Sequence, residues 1–375
     1  MSVAPVSLND FVRQWNAAGS DVLSAVREVG ESGYYILGKQ VAAFEAELAR
    51  FSARKHAVGC ANGLDAIEIS LRSLDIAPGD KVLTTPLSAF ATTLAVLRAG
   101  GIPVFVDVDE TGLLDLNLVE AALAADASIR FLLPVHLYGQ VLDLTRLSAI
   151  KKRFGVKIVE DMAQAIGAHS GALAVGSVGE LAATSFYPTK NLGAIGDGGA
   201  LFTDDRELDR RCRALRDYGQ TQKYVHDVPG LNSRLDELHA AVLLRAFLPR
   251  LAGWTERRRQ IAQTYLAGIR HPQIRPLPAP ANSRSVWHLF PTHVPAARRD
   301  ALMAYLREAG IGSAVHYPRL IPDQGALAGA TYHVLGDLRR AKDLAECELS
   351  LPIHPYLTDE EVGRVIDAVN AWPTS

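Results

Sequence analysis

The chain has 375 residues, 48% of them apolar and 21% charged, and a formal net charge of −2. That length can build one large core and a smaller one, and the composition is that of an ordinary globular protein. So small a net charge excludes a general attraction to nucleic acid or anionic membrane, and any anionic ligand must be held by a local site.

From the N-terminus, Met1 to Trp15 lacks the basic-then-apolar pattern of a signal peptide. Short apolar runs then alternate with amphipathic stretches. Ala57–Cys60, Lys81–Thr85, Pro103–Val108, Phe131–Val135, Lys157–Glu160, Ala182–Phe186 and Ala200–Thr203 read as strands. Several are continuous rather than alternating, as expected when helices cover both sheet faces. Leu64–Leu74, Ala91–Ala99 and Leu144–Phe154 read as helices between them, which predicts an α/β fold with a mainly parallel sheet. A long helix is expected over roughly Arg234 to Arg258, then a stiff Pro-rich connector from His271 to Ala281. Val286–Val294, Arg298–Ala309, Ala314–His316 and Asp359–Val369 suggest a smaller α+β unit. The expected division is a large α/β domain over 1–250 and a small C-terminal domain over 251–375. No internal repeat and no bilayer-length apolar run is present.

In open α/β sheets, ligands bind beyond the carboxyl ends of the strands. Residues just after the predicted strands are therefore candidates: Asn62-Gly63, Ser88, Phe90, His136, Tyr138, Asp161, Gln164 and Ser185 to Lys190. The segment Ser185-Phe-Tyr-Pro-Thr-Lys190-Asn-Leu-Gly places a lysine in a Gly-rich loop with little other charge. Such a lysine suits an amine of lowered pKa that forms a Schiff base, or else a side chain snorkelling at a loop edge. Asp161 ends a buried strand, where a carboxylate needs a partner. A protonated pyridine nitrogen would serve, as would the free N–H groups of a helix that Asp161 caps. The Gly59-Cys-Ala-Asn-Gly63-Leu64 turn leads into a helix, either as a phosphate site or as a plain turn capped by Asn62. Three distant cysteines, Cys60, Cys212 and Cys347, fit neither a disulfide framework nor a metal spacing, so a reducing, cytoplasmic compartment is expected. The histidine spacings offer no catalytic metal site.

Taken together, Tyr35-Ile-Leu-Gly38, Ala61-Asn-Gly-Leu-Asp65, Val135-His-Leu-Tyr-Gly-Gln140, Glu160-Asp-Met-Ala-Gln164, Ser185 to Lys190, Gly196-Asp-Gly-Gly199, Tyr218-Gly-Gln220, Asn232-Ser-Arg-Leu-Asp236 and His316-Tyr-Pro318 resemble the DegT/StrS family. These are sugar aminotransferases of the fold-type I, aspartate aminotransferase-like class, dependent on pyridoxal 5'-phosphate. The resemblance implies that Lys190 carries the cofactor and moves the proton. It implies that Asp161 holds the pyridine nitrogen, Gln164 approaches the ring hydroxyl and Phe90 stacks on the ring. Gly63, Leu64 and Ser185 would contact the phosphate, and Asn232 would reach the phosphate in a neighbouring subunit of a homodimer with shared sites. His316 and Tyr317 would border the sugar.

Some family members replace the lysine by histidine and act as dehydratases; Lys190 favours transamination. The implied reaction moves an amino group from L-glutamate to a keto nucleotide-sugar, with C3 of a dTDP-3-keto-6-deoxyhexose as the best match. C4 amination, a UDP-sugar, an inosose and a non-catalytic regulator are the alternatives. Met162, Ile166, His239 and Ala89 depart from the family's usual residues.

Overall fold

The computed structural model describes residues 4–374. Seven strands make the main sheet: β1 (His56–Cys60), β2 (Lys81–Thr84), β3 (Ile102–Phe105), β4 (Ile129–Leu133), β5 (Lys157–Asp161), β6 (Leu181–Ser185) and β7 (Gly199–Thr203). Their order is β1-β7-β6-β5-β4-β2-β3, with the short His333–Val334 segment on the outer edge. Only β7 runs against its neighbours, pairing antiparallel with both β1 and β6. Side chains from both faces of this sheet are buried in two hydrophobic layers. This is why the strands read as continuous apolar runs.

The connecting helices begin where short polar side chains can accept from the free first-turn N–H groups. Asn62 accepts from Asp65 N at 2.8 Å to start α3 (Gly63–Ser73), and Asp143 accepts from Arg146 N to start Leu144–Phe154. Helix α4 (Phe90–Arg98) differs, because Ala89 at its N-cap has no side-chain acceptor.

Two further helices, α1 (Phe11–Ser32) and α2 (Lys39–Phe51), precede the sheet. Glu237 ties the entry of α2 to the far end of the large core. Its buried carboxyl oxygens accept from Gly38 N at 2.9 Å, Gln40 N at 2.9 Å and Val41 N at 2.8 Å. A Cβ on Gly38 would lie 2.7 Å from Glu237 Oε2, so glycine is required there. Replacing Glu237 by alanine strands three N–H donors and is expected to cost about 3 kcal/mol. Urea unfolding of Glu237→Ala should show this as a lower midpoint, and an unchanged midpoint would contradict it.

The stretch expected as one helix from Arg234 to Arg258 is helical from Glu237 onwards, but its hydrogen-bond pattern changes midway. The α-helix Glu237–Val242 widens into a π-helical turn at Leu243–Phe247 and tightens into a 3-10 turn at Leu248–Arg250. Pro249 lacks the N–H needed for a straight continuation. Regular α-helix resumes as α5 (Leu251–Gly268). The Pro-rich segment is likewise more than a connector. Arg275–Pro276 pairs with Phe290–His293, which pairs in turn with Glu348–Leu351, giving a second, antiparallel three-stranded sheet. A separate cluster including Tyr265, Trp287, Phe290, Leu302, Leu349 and Val365 packs against it.

Helix α5 belongs to both clusters, with Leu251 in the large one and Ile261 and Tyr265 in the small one. Midway along it, buried Arg258 donates to the carbonyls of Trp287 (3.2 Å), His288 (3.4 Å) and Ile353 (2.5 Å). Burial lowers this guanidinium to about 10.

The last helix, α6 (Asp359–Ala371), starts with a reciprocal cap in which Glu361 N donates to Thr358 Oγ1 and Thr358 N donates to Glu361. Arg13 donates to both Glu361 oxygens, at 2.7 and 2.6 Å, and holds this carboxyl at about 2. Because the folded value lies below the ordinary 4.5, the stabilisation is complete above about pH 4.5 and fades as pH falls towards 2. Glu361→Gln keeps a capping side chain but loses the charge. Its deficit, about 2 kcal/mol at neutral pH, should shrink on acidification when thermal midpoints of the two proteins are compared.

Candidate active site

The carboxyl ends of β2, β4, β5 and β6 bring the predicted residues to one rim. Asp161 is the last residue of β5, opposite Ala183 of the parallel neighbour β6, and β6 leads through Ser185 into the turn that carries Lys190. In that turn Lys190 N donates to Tyr187 O at 2.8 Å. Removal from water lowers the Lys190 amine to about 8, and the nearby Asp161 charge opposes that fall. Burial raises Asp161, while Ala163 N, Thr92 Oγ1 and the Lys190 charge pull it back. Its two oxygens accept from Thr92 Oγ1 at 2.9 Å and Ala163 N at 3.1 Å. A carboxylate can accept about four hydrogen bonds, so capacity remains for another donor.

Gln164 lies beside this pair. Its oxygen accepts from Tyr138 N at 2.7 Å, and its amide nitrogen donates to Tyr317 Oη at 3.2 Å. Tyr138 Oη in turn donates to His316 O at 2.8 Å. Tyr138 has a left-handed backbone, φ 62°, which turns its amide and ring towards these two partners. His316 is held at about 4, by burial and then by the Lys190 charge. Lys190, Asp161, Gln164, His316 and Tyr317 therefore form one cluster, although His316 and Tyr317 come from the far end of the chain.

The phosphate candidates form a second, adjoining group. At the start of α3 the N–H groups of Gly63 and Leu64 have no acceptor among the described residues. A Cβ on Gly63 would sit 2.7 Å from Ser185 Cβ, so the two backbones meet only because residue 63 is glycine. Phe90 opens α4 and packs in part against Phe105 and Ile321. Asn232 stands apart from these residues: it is exposed, and its backbone is bridged to Asp217.

Several neighbours are not legible as site residues in the sequence. Thr92 holds Asp161 and is itself bonded to Ser88 at 3.0 Å. Its one signal is the polar pair a turn into the helix after β2. His288, buried and bonded to Asn191 at 3.1 Å, is lowered by burial and by the Lys190 charge. His136, ambiguous from sequence, is bonded to Glu160 at 2.9 Å. Burial pushes Glu160 up, but His136 and the N–H groups of Gly179 and Val178 outweigh it and hold it below the ordinary value. His136 thus supports the 176–179 loop.

The profile of the DegT/DnrJ/EryC1/StrS aminotransferase family matches residues 16–370. The chain belongs to this family. The α/β fold with its mainly parallel sheet is the one the sequence resemblance implied, and the chain is a sugar aminotransferase. The dTDP-3-amino-3,4,6-trideoxy-alpha-D-glucose transaminase of Streptomyces venezuelae is 45% identical over 352 residues, 93% of this aminotransferase and 91% of that protein. A pleiotropic regulatory protein of Geobacillus stearothermophilus is 41% identical over 366 residues, 97% of each chain. The solved structure of S. venezuelae DesV in complex with a ketimine intermediate has a TM-score of 0.94 at 42% identity, covering 99% of both chains.

Among the described residues no helix of this aminotransferase is long and apolar enough to cross a membrane. The three cysteines are buried and unpaired.

Proposed function

We propose that this aminotransferase uses pyridoxal 5'-phosphate to move the amino group of L-glutamate onto C3 of a dTDP-3-keto-6-deoxyhexose. The observation that carries the amino-transfer reading is the Lys190–Asp161 pair, a buried amine of lowered basicity beside a buried carboxyl with accepting capacity to spare, just beyond the ends of adjacent strands. The choice of sugar is supported by the name of the Streptomyces venezuelae relative. The surrounding residues fit the cofactor. Free N–H groups at a helix start suit a phosphate, and the Gly63–Ser185 approach leaves no side chain in its way.

Lys190 would bind the aldehyde through its amine, Asp161 would hold a proton on the ring nitrogen, and Gln164 would face the ring hydroxyl. Phe90 would cover the ring, and Gly63, Leu64 and Ser185 would receive the phosphate. Exposed Asn232 would serve the site of the second subunit in a homodimer. When bound, the cofactor supplies an electron sink for the bond being broken. As a free amine Lys190 would take the proton from Cα of the amino donor; an amine near 8 suits that exchange at neutral pH. Tyr138 and Gln164 keep Tyr317 and His316 turned to the same cleft, where the sugar would lie. The products are 2-oxoglutarate and a dTDP-3-amino sugar. We place the enzyme in the cytoplasm and divide it near residue 250, with α5 shared between the two lobes.

Incubation with glutamate should release 2-oxoglutarate, and a keto nucleotide-sugar should then be aminated at C3. Activity confined to a 4-keto or UDP-linked substrate would refute the sugar assignment. A second reading, a regulator of the same fold, is favoured by the name of the Geobacillus relative. It predicts no 2-oxoglutarate and an unaltered absorption spectrum in the same incubation.

A further inference from the structure

Behind His316 lies a chain of short hydrogen bonds that the transamination scheme does not use. His316 Nδ1 is 3.0 Å from Ser350 Oγ, and Ser350 Oγ is 2.5 Å from Glu348 Oε1. The other Glu348 oxygen accepts from His316 N at 2.6 Å. Glu348 and Ser350 are fully buried on the strand Glu348–Leu351, whereas His316 keeps a partly open face and its Nε2 has no partner among the described residues.

A serine hydroxyl has one hydrogen to give. If Ser350 gives it to Glu348, then His316 must donate from Nδ1, and Nε2 presents a lone pair. If Glu348 carries a proton and gives it to Ser350, then Ser350 donates to Nδ1, and Nε2 carries the hydrogen. The heavy atoms occupy the same positions in both cases.

We propose that Glu348 and Ser350 are positioning residues that act as a proton relay, deciding whether His316 offers a donor or an acceptor at Nε2 to the substrate cleft. The proton balance is simple. When Nε2 gives a proton to a group in the cleft, Nδ1 takes one from Ser350, Ser350 takes one from Glu348, and Glu348 is left as a carboxylate. The reverse shift takes up one proton at Nε2. A sugar oxygen that gains or loses a proton during amination is the kind of group such a relay serves.

The groups facing Glu348 fit a carboxyl that can exist in both forms. Burial raises it to about 8, against the opposing pull of Ser350, His316 N and Arg299 on the neighbouring helix. Tyr138 and Tyr317 feel its charge from the side of the cleft. Lys190 reaches this group through His316, whose ring it keeps neutral together with burial. His316 is therefore an uncharged imidazole whose tautomer, rather than its charge, follows Glu348.

This inference rests on the reading of His316 as a sugar-facing residue, but its test does not need turnover. NMR of isotopically labelled histidine nitrogens in the cofactor-loaded enzyme, with His316 assigned by its loss in His316→Gln, reports the tautomer directly. The expected result is an Nε2–H form below about pH 8 and an Nδ1–H form above it. Glu348→Gln, whose amide oxygen is needed to accept from His316 N and whose NH2 is thereby turned towards Ser350, should hold the Nε2–H form on both sides of that pH. Ser350→Ala should abolish the crossing. A wild-type His316 with one tautomer throughout, or a crossing that survives in either variant, overturns the relay. If the tautomer behaves as expected but no amino sugar forms, the relay stands and the substrate assignment fails.

Discussion

Lys190→Ala should lose at least about four orders of magnitude in turnover. The protein should also lose the long-wavelength absorbance of a lysine-linked cofactor. The reasoning is local. Lys190 is the one lysine of the 185–199 loop, and its amine is held near 8 by removal from water, so a useful fraction is unprotonated at neutral pH. No neighbour can take over, because His288 and His316 have no carbon–nitrogen chemistry to offer an aldehyde and are both depressed by burial. Borohydride reduction with peptide mapping should place the cofactor on Lys190. A label on another lysine, or full transamination by the alanine variant, would sink the assignment. Fold loss is not expected, since among the described residues Lys190 contributes a single backbone bond, to Tyr187 O, and no side-chain hydrogen bond, its amine being a buried charge beside Asp161.

Asp161→Asn is the second large effect. The variant should still form the lysine link, yet turn over about a hundred to a thousand times more slowly. Asparagine preserves shape and, with its oxygen towards Ala163, still accepts from that N–H while its NH2 donates to Thr92 Oγ1, but it removes the charge that would keep a ring nitrogen protonated. The same substitution has a second readout. The Asp161 charge raises the Lys190 amine against desolvation, so its removal should take that amine below about 8. The pH profile of lysine–cofactor linkage should move to lower pH accordingly. Unchanged kinetics would remove Asp161 from its role.

The sheet is legible in the sequence because each strand is buried on both sides and reads as an apolar run, with polar residues at its carboxyl end. Asp161 and Lys190 are visible for the same reason: charge at the close of an apolar segment is conspicuous. The contacts that stay hidden are non-local. Glu237 matters through three N–H groups near residue 40, and Glu348 and Ser350 through a histidine over thirty residues earlier. On its own strand, Glu348-Leu-Ser-Leu351 shows only a common alternation. The change of hydrogen-bond pattern ahead of Pro249 is masked because side-chain periodicity survives a widened turn within a continuous helical backbone. Thr92 looks like any residue inside a helix, though the first turn after a strand end is where such a hydroxyl meets the cleft.

Helix α5 reaches from one hydrophobic cluster into the other, with the Arg258 guanidinium fastening three carbonyls at its midpoint. A rod fixed in two masses is a poor hinge and a good lever. A tilt of the C-terminal cluster would be passed along α5 to the layers packed on β1 to β7, since each end of the helix is buried in one of the two clusters. A substrate that pressed on the C-terminal cluster would thus be felt, through one shared rod, in the bed on which Lys190 lies.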